Sequence, residues 1–233
     1  MEKKRLVVFT GAGVSADSGI STFRDADGLW ANYRIEDVCT PEALERHRER
    51  VIGFYNTRRR ELLAAEPNAG HYALAGLEEV FEVRVITQNI DDLHERAGSG
   101  SVLHLHGELR KLRSSVNERL VFPIEGWEQG LEDRAPDGSL ARPFVVFFGE
   151  SVPNFEQAVE IVSRADLLIV AGPSLAVYPA ASLVRYVPDG APVYLVDPGE
   201  PDVRGVRNLR QHLRMRGEEG LPLLAACLRE EMA

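Results

Sequence analysis

The chain has 233 residues, 44% of them hydrophobic, and a formal net charge of −9 at pH 7. This composition is typical of a globular protein with one domain, or one domain carrying a small insert, and it argues against intrinsic disorder. The acidic balance argues against a nucleic-acid partner, and no apolar run approaches the roughly 18 residues of a membrane span. We therefore expect a cytoplasmic protein with neither a nucleic-acid nor a membrane partner.

Six short apolar runs predict strands that are buried on both faces of a parallel sheet. In chain order they are Leu6–Phe9, Val83–Thr87, Val102–Leu105, Phe144–Phe148, Leu167–Ala171 and Val193–Val196. Helical patterns lie between several of them, including a long charged stretch over Pro41–Glu66 and an apolar helix face that begins at Phe155. This alternation predicts an α/β fold with a central parallel sheet.

Two segments do not follow the alternation. Residues 24–80 contain no convincing strand and are expected to form a loop followed by helices, while residues 112–143 are irregular, with several Gly and Pro residues. We expect both to contribute to a small second lobe inserted into the sheet domain. A cleft between two lobes is a usual place for a ligand.

A glycine-rich segment, Gly11–Gly19, follows the first predicted strand at the point where a helix should start. Its glycines permit close approach of the backbone to a pyrophosphate, and a helix N-terminus offers free N–H groups. A plain strand-to-helix turn would need the same glycines. A dehydrogenase is disfavoured, because the second strand of the usual unit does not begin until near Val83.

Polar side chains follow two of the later strands. Gln88, Asn89 and Asp91 come after Val83–Thr87, where ligands bind in parallel sheets, so they could hold a ribose and an amide, or simply cap the next helix. His106 lies at the end of another strand. The near-neutral pKa of histidine suits a general base, although a lone histidine at a strand end is more often structural.

Further short blocks occur in an order typical of one enzyme family. They are Ile20–Asp25, Gly28–Trp30, Thr87–Asp91, Leu93–His94, His104–Leu109, Phe148–Glu150, Gly172–Ser174 and Val177–Ala181. In this order the blocks resemble the sirtuin family of NAD-dependent protein deacylases, most closely bacterial class III sirtuins, from about Val7 to Pro222. The resemblance implies a single catalytic domain over residues 1–233, in which a Rossmann-like parallel sheet carries a small inserted lobe.

The resemblance also implies NAD as the cosubstrate and assigns roles to residues. His106 matches the catalytic histidine, and Asn89 joins it in the catalytic set by facing the nicotinamide and its ribose. The implied NAD-binding residues are Gly11, Ala12, Gly13, Ser15, Ala16, Gly19, Thr22, Phe23, Arg24, Trp30, Gln88, Asn89, Ile90, Asp91, Gly172, Pro173, Ser174, Asp197 and Pro198. His104 points to the opposite strand face by its spacing and is expected to pack.

The implied reaction transfers the acyl group of an acylated protein lysine to ADP-ribose and releases nicotinamide, without a metal. The residues implied to contact the substrate backbone are Val146, Phe148, Gly149 and Glu150. Tyr55 and Arg58, three residues apart on the predicted helix, resemble the pair that recognises acidic acyl groups. They imply desuccinylation or demalonylation beside deacetylation. Without the resemblance, Arg58 could belong to a solvated basic run and Tyr55 to the core.

The sequence departs from the family at three places. Most sirtuins carry four zinc cysteines in the small lobe, but Ser114 stands where the first is expected, and no Cys or His lies between it and Pro143. We therefore expect no metal site and a lobe ordered by packing. Pro173 and Asp197 stand where the family often has Thr and Asn, which either weakens NAD binding or is neutral.

Two other functions remain open at this point. An NAD-dependent protein ADP-ribosyltransferase or an NAD hydrolase would use the same site. A non-enzymatic NAD-sensing module is disfavoured by the presence of Asn89, Asp91 and His106 together.

Overall fold

A six-stranded parallel sheet forms the centre of the protein, whose computed structural model describes residues 3–20, 33–172, 177–201, 203 and 205–232. Its strands are β1 (Arg5–Thr10), β2 (Glu82–Thr87), β3 (Val102–His104), β7 (Leu167–Ala171), β8 (Val193–Val196) and β9 (Leu209–Leu213). They lie in the order β3-β2-β1-β7-β8-β9, and every adjacent pair is parallel. The predicted α/β fold with a Rossmann-like parallel sheet is confirmed.

The strand order places the crevice of the sheet between β1 and β7. From β1 the chain continues outward to β2 and β3, whereas β7, β8 and β9 extend the sheet in the other direction. At such a reversal the loops after two neighbouring strands turn to opposite faces, which opens a crevice at their carboxyl ends. Thr10 and Ala171, which pair in register, mark this point.

Both faces of the sheet are covered by helices. On one face, strand residues pack with α4 (Ala69–Gly76) and α7 (Gly217–Met232); on the other they pack with α6 (Phe155–Val162) and a 3₁₀ helix over Ala180–Tyr186. The near-continuous apolar composition of the inner strands follows from this double burial. Within the described residues, no helix is long and apolar enough to cross a membrane.

A separate antiparallel sheet forms the small lobe. It consists of β4 (Gly107–Ser114), β5 (Val121–Pro123) and β6 (Ala141–Val145), in the order β5-β4-β6. Residues 112–143 are irregular over most of their length, as expected, but they also contain β5 and the ends of β4 and β6, which were not expected. The predicted parallel strand Phe144–Phe148 is wrong, because the strand starts earlier, ends at Val145 and belongs to this sheet.

The helical segment breaks once. The prediction of one helix over Pro41–Glu66 is wrong, because α2 (Pro41–Arg46) and α3 (Arg48–Ala64) are separated at His47, whose φ of −137° and ψ of 46° are not helical. Together with α1 (Ile35–Val38), these helices pack against β4 and β6. Between residues 33 and 80 the described structure contains helices and no strand, as predicted.

Candidate active site

The segment after β1 packs directly against the end of β7. The backbone N–H groups of Gly11 and Gly13 donate to the carbonyl oxygens of Ala171 and Gly172, each at 3.1 Å. A Cβ atom on Gly13 would lie 2.8 Å from Gly172 Cα, and the φ of Gly172 is +67°. Only glycine allows Gly13 to approach Gly172 this closely and Gly172 to adopt this φ, so no side chain covers the backbone at these two positions where the crevice opens.

The glycine-rich segment does not start the expected α-helix. It forms two 3₁₀ turns, over Ala12–Val14 and Ala16–Ser18, and ends at Gly19, whose φ is +83°. Each turn leaves its first N–H groups outside any regular helix. Ala12 and Ala16 are half-buried within these turns, and Ser15 is buried between them.

Asn68 also holds this loop, a role that was not expected from the sequence. Its Nδ2 atom donates to Val14 O at 2.8 Å and contacts Ser18 Oγ at 3.0 Å. Asn68 is the N-cap of α4, and His71 completes a capping box with it. The pattern of Asn followed three residues later by a polar side chain was the available signal.

Asn89 joins the end of β2 to the glycine loop. Its backbone N–H donates to Thr87 Oγ1 at 3.0 Å, and its Nδ2 atom donates to Gly11 O at 3.2 Å and to Ser15 Oγ at 3.0 Å. Asn89 is buried. The sequence placed Asn89 and Gly11 in one site, and the structure brings them together.

Gln88 and Asp91 add buried polar groups beside Asn89. The Nε2 atom of Gln88 is buried and has no hydrogen-bond partner among the described residues. Burial raises the pKa of Asp91, although hydrogen bonds from Leu93 N and Ser15 oppose the rise. A buried donor without a protein acceptor is a group that a polar ligand can satisfy, so these residues fit a ribose or an amide.

His106 faces the same loop from the end of β3. Its Nδ1 atom contacts the carbonyl oxygen of Gln88 at 3.1 Å. Because a carbonyl only accepts, Nδ1 carries the hydrogen and Nε2 of the neutral ring holds a lone pair. Burial lowers the pKa of His106, and the bond to Gln88 partly opposes this. His106 is thus arranged as a base at Nε2.

His104 is more than a packing residue. It is buried, and its two ring nitrogens contact Asn89 O and Glu95 Oε1. Neither contact was foreseen from the sequence.

Tyr55 and Arg58 share a face of α3 and are both buried. The Tyr55 hydroxyl lies 3.2 Å from Cys39 Sγ, and burial, with the neighbouring thiol, raises its pKa well above the ordinary range. Arg58 Nη1 lies 3.4 Å from Glu61 Oε2. Burial lowers the pKa of Arg58, while the charges of Glu61 and Asp91 oppose the shift. The buried guanidinium of Arg58 is therefore close enough to Asp91 for the two charges to interact.

The segment implied to contact substrate continues from β6 as a turn. Val146 N donates to His106 O at 2.9 Å, which joins this segment to the histidine. Phe148 is exposed, and Gly149 has a φ of +90°. The carboxylate of Glu150 turns inward, where it accepts hydrogen bonds from Arg142 Nη1 and Phe147 N, each at 2.7 Å. Glu150 shapes the turn, whereas the Phe148 side chain is open to a partner.

The remaining implied NAD-binding residues lie along the same edge or outside the described residues. Asp197 follows β8, is buried, and accepts a hydrogen bond from Gly199 N at 2.8 Å, while Pro198 is exposed. Ile90 is half-buried, and its carbonyl accepts from Leu109 N at 2.8 Å. Six of the implied residues lie outside the described residues: Thr22, Phe23, Arg24, Trp30, Pro173 and Ser174.

Comparison with known proteins identifies relatives over nearly the whole chain. The model of the Sir2 family matches residues 11–179. A protein named NAD-dependent protein deacylase from Bacteroides thetaiotaomicron is 52% identical over 97% of this chain and 98% of the relative. One of the same name from Aggregatibacter actinomycetemcomitans is 56% identical over 82% of this chain and 92% of the relative. The crystal structure of a complex of a Sir2 homologue with NAD superposes with a TM-score of 0.88 at 41% identity, covering 100% of this chain and 92% of that one.

Proposed function

Because the chain belongs to the Sir2 family, we propose that it is an NAD-dependent protein deacylase that removes acetyl and acidic acyl groups from lysine side chains. One observation carries the proposal. The hydrogen bond from His106 to Gln88 O fixes a base beside the loop whose Asn89 side chain reaches Gly11 O. The base His106, the loop that carries Asn89 and the glycine loop therefore lie next to one another, as the parts of one site would.

The residues around the crevice fit NAD. Gly13 and Gly172 pack backbone against backbone at the crevice, and a glycine-rich turn at this place can receive a pyrophosphate. Asn89 and Asp91 offer polar groups to the nicotinamide riboside. When bound, the dinucleotide supplies a ribose that gives up nicotinamide and takes over the acyl group. The acylated protein substrate lies along the turn that carries Phe148, and extended pairing there reads backbone shape more than sequence.

His106 moves a proton in this reaction. Its Nε2 lone pair accepts the proton of a ribose hydroxyl, while the Nδ1 hydrogen bond to Gln88 O keeps the ring in the required tautomer. The lowered pKa of His106 keeps this base neutral at cellular pH. No part of this proton transfer needs a metal.

The preference for acidic acyl groups rests on Arg58. Its side chain is 9% exposed, so its charge is held largely out of water and favours an anionic partner. A guanidinium can bind a carboxylate through two parallel hydrogen bonds, and the Tyr55 hydroxyl on the same helix face can add another. We propose that these two side chains receive the carboxylate of succinyl-lysine or malonyl-lysine.

We also propose that the small sheet is ordered without zinc. Ser114 is buried, and its Oγ atom contacts Asp137 Oδ2 at 2.7 Å, Ser139 Oγ at 2.9 Å and the backbone N–H groups of Val116 and Asn117. These hydroxyl and carboxylate oxygens do not fit structural zinc, which prefers Cys and His. The described residues hold no group of three or more His, Cys, Asp and Glu side chains that could bind a metal.

The apolar clusters support a proposal for the domain organisation. We propose that residues 1–233 form one catalytic domain, with a second lobe built from inserts at about 24–80 and 112–143. The end of the first insert, α4, packs on the central sheet instead. Helices α1 to α3 share an apolar cluster with β4 and β6, and Leu112, Ile124 and Ala141 form a smaller cluster within the small sheet. Both inserts therefore have apolar partners of their own.

Product analysis tests the reaction directly. The protein is incubated with NAD and either an acetyl-lysine or a succinyl-lysine peptide, and nicotinamide, free-lysine peptide and O-acyl-ADP-ribose are quantified by mass spectrometry. We expect the three products in equal amounts. ADP-ribose attached to protein, or free ADP-ribose formed without deacylation, would assign the site to ADP-ribosyl transfer or NAD hydrolysis instead.

A further inference from the structure

The buried imidazole of His104 has a hydrogen-bond partner at each end. Its Nδ1 atom lies 2.9 Å from the carbonyl oxygen of Asn89, and its Nε2 atom lies 2.7 Å from Glu95 Oε1. The His104 side chain is 7% exposed, while that of Glu95 is 40% exposed. The ring thus bridges the loop after β2 to α5 (Leu93–Arg96).

These two contacts determine the protonation of the ring. A backbone carbonyl and an ionised carboxylate are both acceptors, so each ring nitrogen must bring a hydrogen. A neutral imidazole has only one N–H group, and it would leave a lone pair facing one of the two oxygens. Only the imidazolium form of His104 satisfies both contacts, whereas a neutral ring satisfies the single contact of His106 to Gln88 O.

The surrounding charges agree with this assignment. Burial by itself lowers the pKa of His104, but the hydrogen bond and charge of Glu95, the bond to Asn89 O and the charge of Glu108 together outweigh it, and the pKa is raised. Burial likewise raises the pKa of Glu95, but the contact with His104 outweighs it, and the pKa is lowered. The ionisable groups that act on this ring are Glu95 and His94 of α5, Glu108 of β4 and Asp91 of the loop after β2.

His104 contacts the carbonyl oxygen of Asn89, whose backbone N–H and side-chain amide nitrogen are also hydrogen-bonded. Asn89 is fixed at its N–H by Thr87 Oγ1 and at its side chain by Gly11 O and Ser15 Oγ. The bond from His104 fixes its backbone carbonyl oxygen. Losing that bond would let the peptide after Asn89 rotate, and the Asn89 amide would then be held by Gly11 O and Ser15 Oγ alone.

We propose that His104 and Glu95 are positioning residues, and that the charged His104–Glu95 pair sets the orientation of Asn89 for NAD binding. The inference rests on the proposed function, because it takes Asn89 to face NAD. The sign of its pH dependence follows from the pair. The His104 proton is present at low pH and is lost as the pH rises through its raised pKa, so NAD affinity falls on the alkaline side.

The first test reads the proton directly, without turnover. Nitrogen-15 NMR of the ring nitrogens at pH 7, assigned by comparison with His104→Gln, should show both His104 nitrogens protonated. One unprotonated His104 nitrogen at this pH would overturn the inference, whatever the activity of the protein.

The second test measures NAD binding by calorimetry across pH, in the absence of acylated substrate. In Glu95→Gln the charge partner is gone while the shape is kept, so the alkaline fall in affinity should move to lower pH by about one unit. Glu66→Gln is the matched control, since its carboxylate pairs with Arg96 at 3.0 Å and is 79% exposed. This control should keep the wild-type profile.

A second variant guards against a folding defect in Glu95→Gln. His104→Gln keeps one donor but cannot be charged, so NAD binding should weaken severalfold and lose its alkaline fall. Profiles of wild type and Glu95→Gln that coincide would overturn the role of the pair. Wild-type protein that binds no NAD at any pH would instead overturn the proposed function, so the two failures are distinguishable.

Discussion

The Nδ1 atom of His106 lies 3.1 Å from the carbonyl oxygen of Gln88, and this contact selects the tautomer in which Nε2 is the base. Burial lowers the pKa of His106 below its ordinary value of 6.5, with the bond to Gln88 opposing the change. The neutral ring therefore persists to lower pH than in a free histidine. The rate should be limited on the acid side by protonation of His106 below pH 6.5.

Replacing His106 should remove turnover but not NAD binding. In His106→Gln the side chain keeps a donor for Gln88 O but has no basic nitrogen, so kcat should fall by about 100- to 10,000-fold. Calorimetry should give an NAD affinity within a few-fold of wild type. His47→Gln, at the exposed break between α2 and α3, is the matched control. A His106→Gln enzyme with most of its rate would remove His106 from the reaction.

Metal removal should leave the fold intact. Treatment with a chelator should not change the melting temperature, because the Ser114 contacts hold the small sheet together. Ser114→Ala should lower the stability by about 1 kcal/mol, since it removes a buried hydroxyl that bonds Asp137 Oδ2 and accepts from the part-buried N–H groups of Val116 and Asn117. Ser115→Ala, at an exposed neighbouring position, is the control. Stoichiometric, chelator-sensitive zinc in purified protein would contradict this view of the lobe.

His71 should make the protein sensitive to mild acid. Burial lowers the pKa of His71 from 6.5 to about 4. Above pH 6.5 both folded and unfolded states are neutral at this residue. Below it, only the unfolded state takes up the proton, so stability falls with decreasing pH until about pH 4. This group alone costs about 2 kcal/mol between pH 7 and pH 5.

Urea unfolding at pH 7 and pH 5 checks this sign. The loss of stability between the two pH values should be smaller in His71→Gln than in wild type by about the same 2 kcal/mol. Equal losses in the two proteins would mean that His71 is protonated in the folded state.

Several strands could be predicted because a strand that is buried on both faces is a continuous apolar run in the sequence. Leu167–Ala171 and Val193–Val196 match β7 and β8 residue for residue, since both lie inside the sheet and every position is apolar. The strand β9 (Leu209–Leu213) was missed, because it lies at the sheet edge and exposes its polar side chains. In the small sheet, β5 was missed because it is short and only partly buried. β4 is long, but its charged side chains interrupt the apolar pattern.

The site residues likewise include some that the sequence predicts and some that it does not. Asn89 and His106 stand in recognisable blocks, and their positions at strand ends were readable. Asn68 acts through Val14 O, a backbone atom 54 residues away, and His104 through the carbonyl of Asn89, 15 residues away. No local pattern reveals a contact between a side chain and a distant carbonyl. Such positioning residues emerge only from the fold.

Glu61 should compete with the acyl carboxylate for Arg58. Its Oε2 atom lies 3.4 Å from Arg58 Nη1, and its side chain is 31% exposed, so it can swing away when an acidic acyl group arrives. In Glu61→Gln this competition is weaker, and the ratio of kcat/KM for succinyl-lysine to that for acetyl-lysine should rise severalfold. A lower ratio would show instead that Glu61 orients Arg58 for its substrate.

The acyl preference of Arg58 variants is the measurement that bears most directly on the proposed substrate class. The ratio of kcat/KM for succinyl-lysine and acetyl-lysine versions of one peptide is measured for wild type, Arg58→Met and Arg58→Lys. A charged contact in a partly dry pocket contributes roughly 1.5–3 kcal/mol, so Arg58→Met should reduce desuccinylation by about 10- to 150-fold and deacetylation by no more than a few-fold. Arg58→Lys should be intermediate, because it keeps the charge without the planar fork. Equal losses on both peptides would contradict the account and make Arg58 a structural residue of α3.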